Sequence, residues 1–146
     1  MNKNLQIYLA GKMLGLMTIE MRAWRDKFKT TINQIVENVD ANVRTISPCD
    51  YYCFEVKRHQ TEIEVMKFDL ARVTESDLVV VNLDGLNTSI GSIVECYEAW
   101  KRGIPVLAFG IDEEYENLHP WVQCCITRHD QTYKETIEYI KDFYMT

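Results

Sequence analysis

Residues 77–83, DLVVVNL, carry four consecutive apolar side chains, Leu78 to Val81. Side chains of a strand alternate between its two faces, so this run offers water no polar face. It has to be covered on both sides, the condition of a central strand in a parallel sheet layered between helices. IPVLAFG, residues 104–110, sets the same condition again. Between them LNTSIGSIVECYEAW (86–100) predicts a helix that runs on to Gly103. Two buried strands joined through a helix form a crossover, right-handed in nearly every case.

The remaining chain extends the alternation. LQIYLAG (5–11) is a β-rich run closed by glycine and predicts the first strand. After Thr18, Ile19, Ala23, Phe28, Ile32, Ile35 and Val36 fit one helical stripe. NVRTISP (42–48) predicts a short second strand ended by proline, and residues 49–60 a loop at the sheet's end. Residues 61–76 predict a second helix, with Ile63, Met66, Leu70 and Val73 at helical spacing. VQCCIT (122–127) predicts a last edge strand, and residues 132–144 a terminal helix with a Thr132–Glu135 capping box.

Five such strands predict an α/β, flavodoxin-like three-layer sandwich, ordered 2-1-3-4-5, as a single domain over residues 1–146. In such sheets a ligand sits beyond the carboxyl ends of the strands, where the strand order reverses. Here that point lies between AGKMLG, after strand one, and DGLNTSIGSIVE, after strand three.

Charge narrows the choice of ligand. The net charge is −6 and no Lys/Arg-rich run occurs, so a nucleic-acid polymer is not the expected partner; small anions remain open. No window reaches membrane-spanning length, and the N-terminal apolar stretch is too short for a signal segment. The five cysteines are expected to be reduced thiols in a cytoplasm. Cys49, Cys53 and His59 lie close in sequence, but no fourth ligand completes a zinc site. There is no Walker loop, no G-x-G-x-x-G, no triad serine beside His59, His119 or His129, and no metal-ligand spacing. The expectation is therefore neither metal nor cofactor.

The switch-point loops do carry acids. Glu95 stands in an early turn of an apolar helix, where it can be a site residue. It can equally be an acid that favours the helix dipole, with Ser92 and Glu95 at capping-box spacing. Asp69 lies in the C-terminal half of helix two, where the dipole does not favour it; it faces the cleft, or solvent and Arg72. Tyr8 is a strand aromatic, Asn117 a turn residue, and Gly11 and Gly91 turn glycines, unless the cleft uses them. Two carboxylates, a tyrosine and glycine-lined loops at one cleft suit chemistry at an anomeric carbon.

In that order the motifs are familiar. IYLAG, FDLARVTESDLVVVNLDG, SIGSIVECYEAWKRGIPV and NLHPW together resemble the nucleoside 2-deoxyribosyltransferase family and the related 2'-deoxynucleoside 5'-phosphate N-glycosidases, over nearly the whole chain. The resemblance implies that Glu95 is the nucleophile, that Asp69 moves a proton to and from the base, and that Tyr8 holds the carboxylate. It also implies that Gly11, Ser89 and Gly91 line the substrate. Asn117 would reach a sugar hydroxyl across a subunit interface, in a homo-oligomer with shared active sites. Substrates would be a deoxynucleoside or deoxynucleotide and a nucleobase.

Ser89 departs from the transferase pattern, which has aspartate six residues before the nucleophile. Serine there is the N-glycosidase pattern, where it contacts a 5'-phosphate; Asn117 matches the transferases. An attacking Glu95 is expected to be ionised, with an ordinary or lowered pKa near the helix N-terminus. The rivals are a non-catalytic nucleotide-binding protein and a receiver-like domain. The second lacks an acid after the first strand, where LAGK stands.

Overall fold

A computed structural model describes residues 3–13, 15–51 and 58–146. Five strands, β1 (Lys3–Ala10), β2 (Ala41–Ile46), β3 (Leu78–Asn82), β4 (Val106–Phe109) and β5 (Arg128–Asp130), form an all-parallel sheet ordered β2-β1-β3-β4-β5. This is the α/β flavodoxin-like order expected from the alternation. Leu78, Val79, Val80 and Val81 are all fully buried. They contribute alternately to two cores, one on each face of the sheet.

Helices α1 (Thr18–Val36) and α6 (Tyr133–Tyr144) cover one face, closing over Ile7, Leu9, Leu78, Val80 and Leu107. The other face carries Tyr8, Ala10, Val79, Val81 and Ala108, and packs against α2 (Glu62–Thr74) and α3 (Ile90–Lys101). Both α2 and α6 begin at a threonine, Thr61 and Thr132, whose hydroxyl accepts from the backbone amide three residues on. A Schellman motif ends α3: the Ile104 amide donates to Ala99 and that of Gly103 to Trp100, with Gly103 at φ +75°.

Several expectations are corrected. VQCCIT is not a strand. Pro120 opens a short helix, α5 (Pro120–Cys124), with His119 Nδ1 accepting from the Trp121 amide; the apolar residues 122, 125 and 126 have helical spacing. The true edge strand is the polar β5, aligned by Thr127, which donates its amide to Val106 O and accepts from Val106 N. The segment after β3 is not one helix. A 3₁₀ turn at Leu86–Thr88 precedes a break at Ser89.

In α1 the buried residues are Met21, Arg25, Phe28 and Ile32, while Ile19 is 74% exposed. In α2 Ile63 and Met66 face out, and only Val73 is fully buried. A helix that was not expected, α4 (Asp112–Glu116), follows β4. The predicted loop begins with a 3₁₀ turn at Pro48–Tyr51, and its residues 52–57, including Cys53, lie outside the described residues.

At the switch point the exits of β1 and β3 touch. Gly85 has φ +70°, and a Cβ there would stand 2.6 Å from Lys12 Cδ. Only glycine meets both conditions without a shift.

Candidate active site

The inward stripe of α3 is Ser92, Glu95, Cys96 and Ala99, all buried. Glu95 therefore occupies a core position and is 8% exposed. Opposite it stands Tyr8, fully buried on β1 and directed to the same face as Ala10. Its phenol donates a hydrogen bond to Glu95 Oε2. Asp69, half-buried on α2, is near enough for its charge to act on Glu95. Three elements thus bring Tyr8, Asp69 and Glu95 together at one place.

This setting reverses the expected titration. Burial pushes the Glu95 carboxyl up from 4.5 to about 8; the Tyr8 hydrogen bond opposes the rise, Asp69 adds to it, and Arg25 opposes it. The helix N-terminus does not keep it low, because Glu95 lies past the first turn and points into the core, where desolvation dominates. The capping-box reading also fails. Ser89, not Ser92, is the N-cap residue of α3, and Glu95 bonds Tyr8. Next to it the buried Cys96 thiol is raised by burial and by Glu95.

The start of α3 supplies two more candidates. Ser89 makes no side-chain cap; its hydroxyl donates to Ser92 Oγ at 2.7 Å. Gly91 is exposed, and a Cβ there would meet nothing within 4 Å. Packing within the chain does not demand that glycine. Gly11 is different, since a Cβ would lie 2.9 Å from Trp24 Cζ2. Asn117 is the exposed C-cap residue of α4. Asn87 ties it to the turn before α3: its Nδ2 donates to Asn117 O at 2.8 Å, and its Oδ1 accepts from the His119 amide at 3.3 Å.

Sequence reasoning missed Asn87, Ser92 and above all Arg25. Arg25 is 1% exposed. Its guanidinium donates to Met21 O (2.7 Å), Gly11 O (3.1 Å) and Leu9 O (3.3 Å). Strand β2 pairs with β1 only as far as Tyr8 and Ile46. Beyond that point the carbonyls of Leu9 and Gly11 face no strand, and Arg25 supplies the donors. Its position, four residues after Met21 and three before Phe28, was the available signal: a charge in core register.

A cavity of about 170 Å³ opens at the switch point, lined by Lys12, Leu16, Glu20, Trp24, Asn82 and Asp84. It lies on the α1 side of the sheet, whereas Tyr8 and Glu95 meet on the α3 side, so it is not the seat of their chemistry. Among the described residues no group of three or more His, Cys, Asp or Glu is placed to hold a metal ion. No helix formed by them is long and apolar enough to cross a membrane.

No protein-family model matches the sequence, and no curated protein does. Solved structures share the fold. A conserved protein from Enterococcus faecalis V583 superposes with TM-score 0.74 at 20% identity, over 94% of this chain and 98% of its own. A 2-deoxyribosyltransferase from Bacillus psychrosaccharolyticus does so with TM-score 0.58 at 17% identity, over 92% of this chain and 91% of its own. At these identities the shared property is the fold.

The burial of Glu95 has a measurable sign. Its folded pKa lies above its unfolded value of 4.5, so the folded state binds the extra proton between these values. The contribution of Glu95 to stability is full below about pH 4.5 and is lost as pH rises through about 8. Glu95→Gln removes this dependence. The melting temperature of the variant relative to wild type is expected to be several degrees higher at pH 9 than at pH 5, at roughly 2–4 °C per kcal/mol. A difference that does not widen with pH contradicts a carboxyl buried in this way.

Proposed function

We propose that the chain cleaves the N-glycosidic bond of 2'-deoxynucleosides and passes the deoxyribosyl group to another nucleobase, in the manner of the nucleoside 2-deoxyribosyltransferases. One observation carries the reading: a carboxyl group in the core register of α3, held by the Tyr8 phenol beside Asp69. A glutamate buried at such cost has little to offer stability and much to offer chemistry. The fold shared with a 2-deoxyribosyltransferase is consistent with it.

In the proposed reaction Glu95 attacks C1' as a carboxylate while the bond from C1' to the base nitrogen breaks. Asp69 gives its proton to the departing base. A glycosyl ester of Glu95 results, reached through an oxocarbenium-like transition state. A second base then attacks C1', the ester oxygen leaves as carboxylate, and Asp69 recovers a proton from the incoming nitrogen. Two inversions give net retention. The attacking form needs Glu95 ionised, and in the free protein that form grows toward pH 8. Accordingly kcat/KM rises over this range for as long as Asp69 keeps the proton that it gives to the base.

A second reading, hydrolysis of 2'-deoxynucleoside 5'-monophosphates, is favoured by Ser89. Its hydroxyl does not cap α3, and it stands with Ser92 Oγ at the helix N-terminus, where first-turn amides lack intrahelical partners.

Replacing Glu95 by Gln or Ala is expected to lower turnover by at least about a thousandfold, roughly 4 kcal/mol. A fluorinated deoxynucleoside analogue is expected to add its sugar mass to the Glu95 peptide. Turnover within tenfold of wild type sinks the nucleophile role. No turnover by the wild type itself leaves the non-catalytic nucleotide-binding alternative standing.

The phosphate reading is tested by kcat/KM for a nucleoside and its 5'-monophosphate. If Ser89 meets the phosphate, wild type prefers the nucleotide and Ser89→Asp reverses the order, since a carboxylate about 4 Å from a phosphate costs several kcal/mol at an effective dielectric near 20. Equal efficiencies, unmoved by the substitution, remove that reading.

The site is further proposed to be completed between subunits of a homo-oligomer, Asn117 serving a neighbour. The outer side of the layer that carries Asp69 and Glu95 exposes Ile63 (69%), Met66 (53%), Tyr97 (49%) and Trp100 (52%), an apolar area that calls for cover. Mixing inactive Glu95→Ala with inactive Asn117→Ala subunits is expected to restore part of the activity. No recovery after demonstrated subunit exchange counts against the shared site.

A further inference from the structure

Among the described residues the largest fully buried side chain is a charged one, Arg25. Burying a guanidinium costs several kcal/mol unless it is well paired, and here all three of its hydrogen bonds go to neutral carbonyls. Among the described residues no carboxylate lies within ion-pair distance of it. The groups its charge faces are Cys49 and Asp50, from the turn after β2, and Glu95 and Tyr8. Asp50 is an exposed acid already paired with Arg22 at 2.8 Å. Glu95 is thus the buried carboxyl within its field.

The anchoring points bear on the same glutamate. Leu9 and Gly11 are the carbonyls just beyond Tyr8 on β1, and Tyr8 is the residue that donates to Glu95. Trp24, whose ring lies 4.6 Å from the guanidinium carbon, closes the other side and also fills the space that a Cβ on Gly11 would need.

We propose that Arg25 is a positioning residue for Glu95: a buried cation, anchored on the carbonyls of Leu9 and Gly11, that fixes the strand end on which Tyr8 meets the glutamate and supplies the positive charge facing its carboxylate. The glutamate's role as nucleophile rests on the function proposed above; the electrostatic tie does not. Among the described residues three elements other than its own face Glu95: β1 with the neutral Tyr8, α2 with the acidic Asp69, and α1 with Arg25; its own helix adds the neutral Cys96 thiol. Arg25 is the one cation among them. It opposes both the desolvation and Asp69, in the direction that favours the attacking anion.

Carboxyl ¹³C NMR on glutamate-labelled protein, with Glu95→Gln to assign the signal, reads this tie without any substrate. Arg25→Gln is expected to raise the Glu95 midpoint by about one pH unit or more, a tenfold change in its ionisation constant. Arg25→Lys, which keeps the charge but loses the planar fork, is expected to stay within half of that shift. In wild type the Arg25 Nε–H resonance is expected to move with the Glu95 midpoint and to stay flat in Glu95→Gln. This arm keeps the test decisive if Arg25→Gln does not fold.

A folded Arg25→Gln with an unmoved midpoint, or a flat Arg25 resonance in wild type, overturns the proposal. Where turnover is found, the ascending limb of the kcat/KM profile is expected to shift with the NMR midpoint. Absence of turnover on every deoxynucleoside would sink the proposed function and leave the titration result standing.

Discussion

The burial of β3 on both faces is the constraint from which the architecture follows. Four adjacent side chains without access to water require a helical layer on each side. Parallel neighbours require crossovers, and the crossovers require that every strand end at the same edge. All the loops that carry candidate site residues are therefore gathered there. The switch point between β1 and β3 is the place where they part and leave room. Close contact of Lys12 with Gly85 shows how narrow that parting is.

Against this background Glu95 and Arg25 are two exceptions to one rule. Each sits in core register on an amphipathic helix, and each gives up hydration there. An apolar residue would suit the register of either place, although at Arg25 it would leave the carbonyls of Leu9 and Gly11 without their donor. Instead the chain holds an acid bonded to a phenol, and a guanidinium on the strand end just beyond that phenol, with Asp69 near enough for its charge to act on the acid. Local disagreement with an otherwise consistent pattern is what a functional site is expected to look like.

Most of the scaffold was legible because it depends on period and length. The strands at 5–11, 77–83 and 104–110 and the order of the sheet follow from apolar runs that admit few arrangements. Where two short patterns compete, reading failed. Residues 122–127 are apolar enough for a strand, but a proline after a capping histidine turns them into a helix, and the real edge strand RHD has no apolar signature at all. Glu95 and Tyr8 were legible as candidates; their contact was implied by the family resemblance alone, since they lie far apart in sequence and no spacing joins them. The direction of Glu95's titration was misjudged because distance from a helix end is visible in sequence and burial is not. Arg25 escaped because a basic residue in a helix usually reads as surface.

Cys96 adds a chemical consequence. Oxidants and alkylating agents attack thiolates, at rates set by pKa and access. This thiol is buried, held protonated, and adjoins Glu95, whose negative charge opposes a second anion beside it. Among the described cysteines Cys124 is the exposed one, and Cys125 beside it is partly open but also shifted upward. Among the described cysteines oxidative damage would accordingly begin on α5, away from the carboxyl of the candidate site. The arrangement that makes Glu95 reluctant to ionise also makes its neighbour a poor target for peroxide.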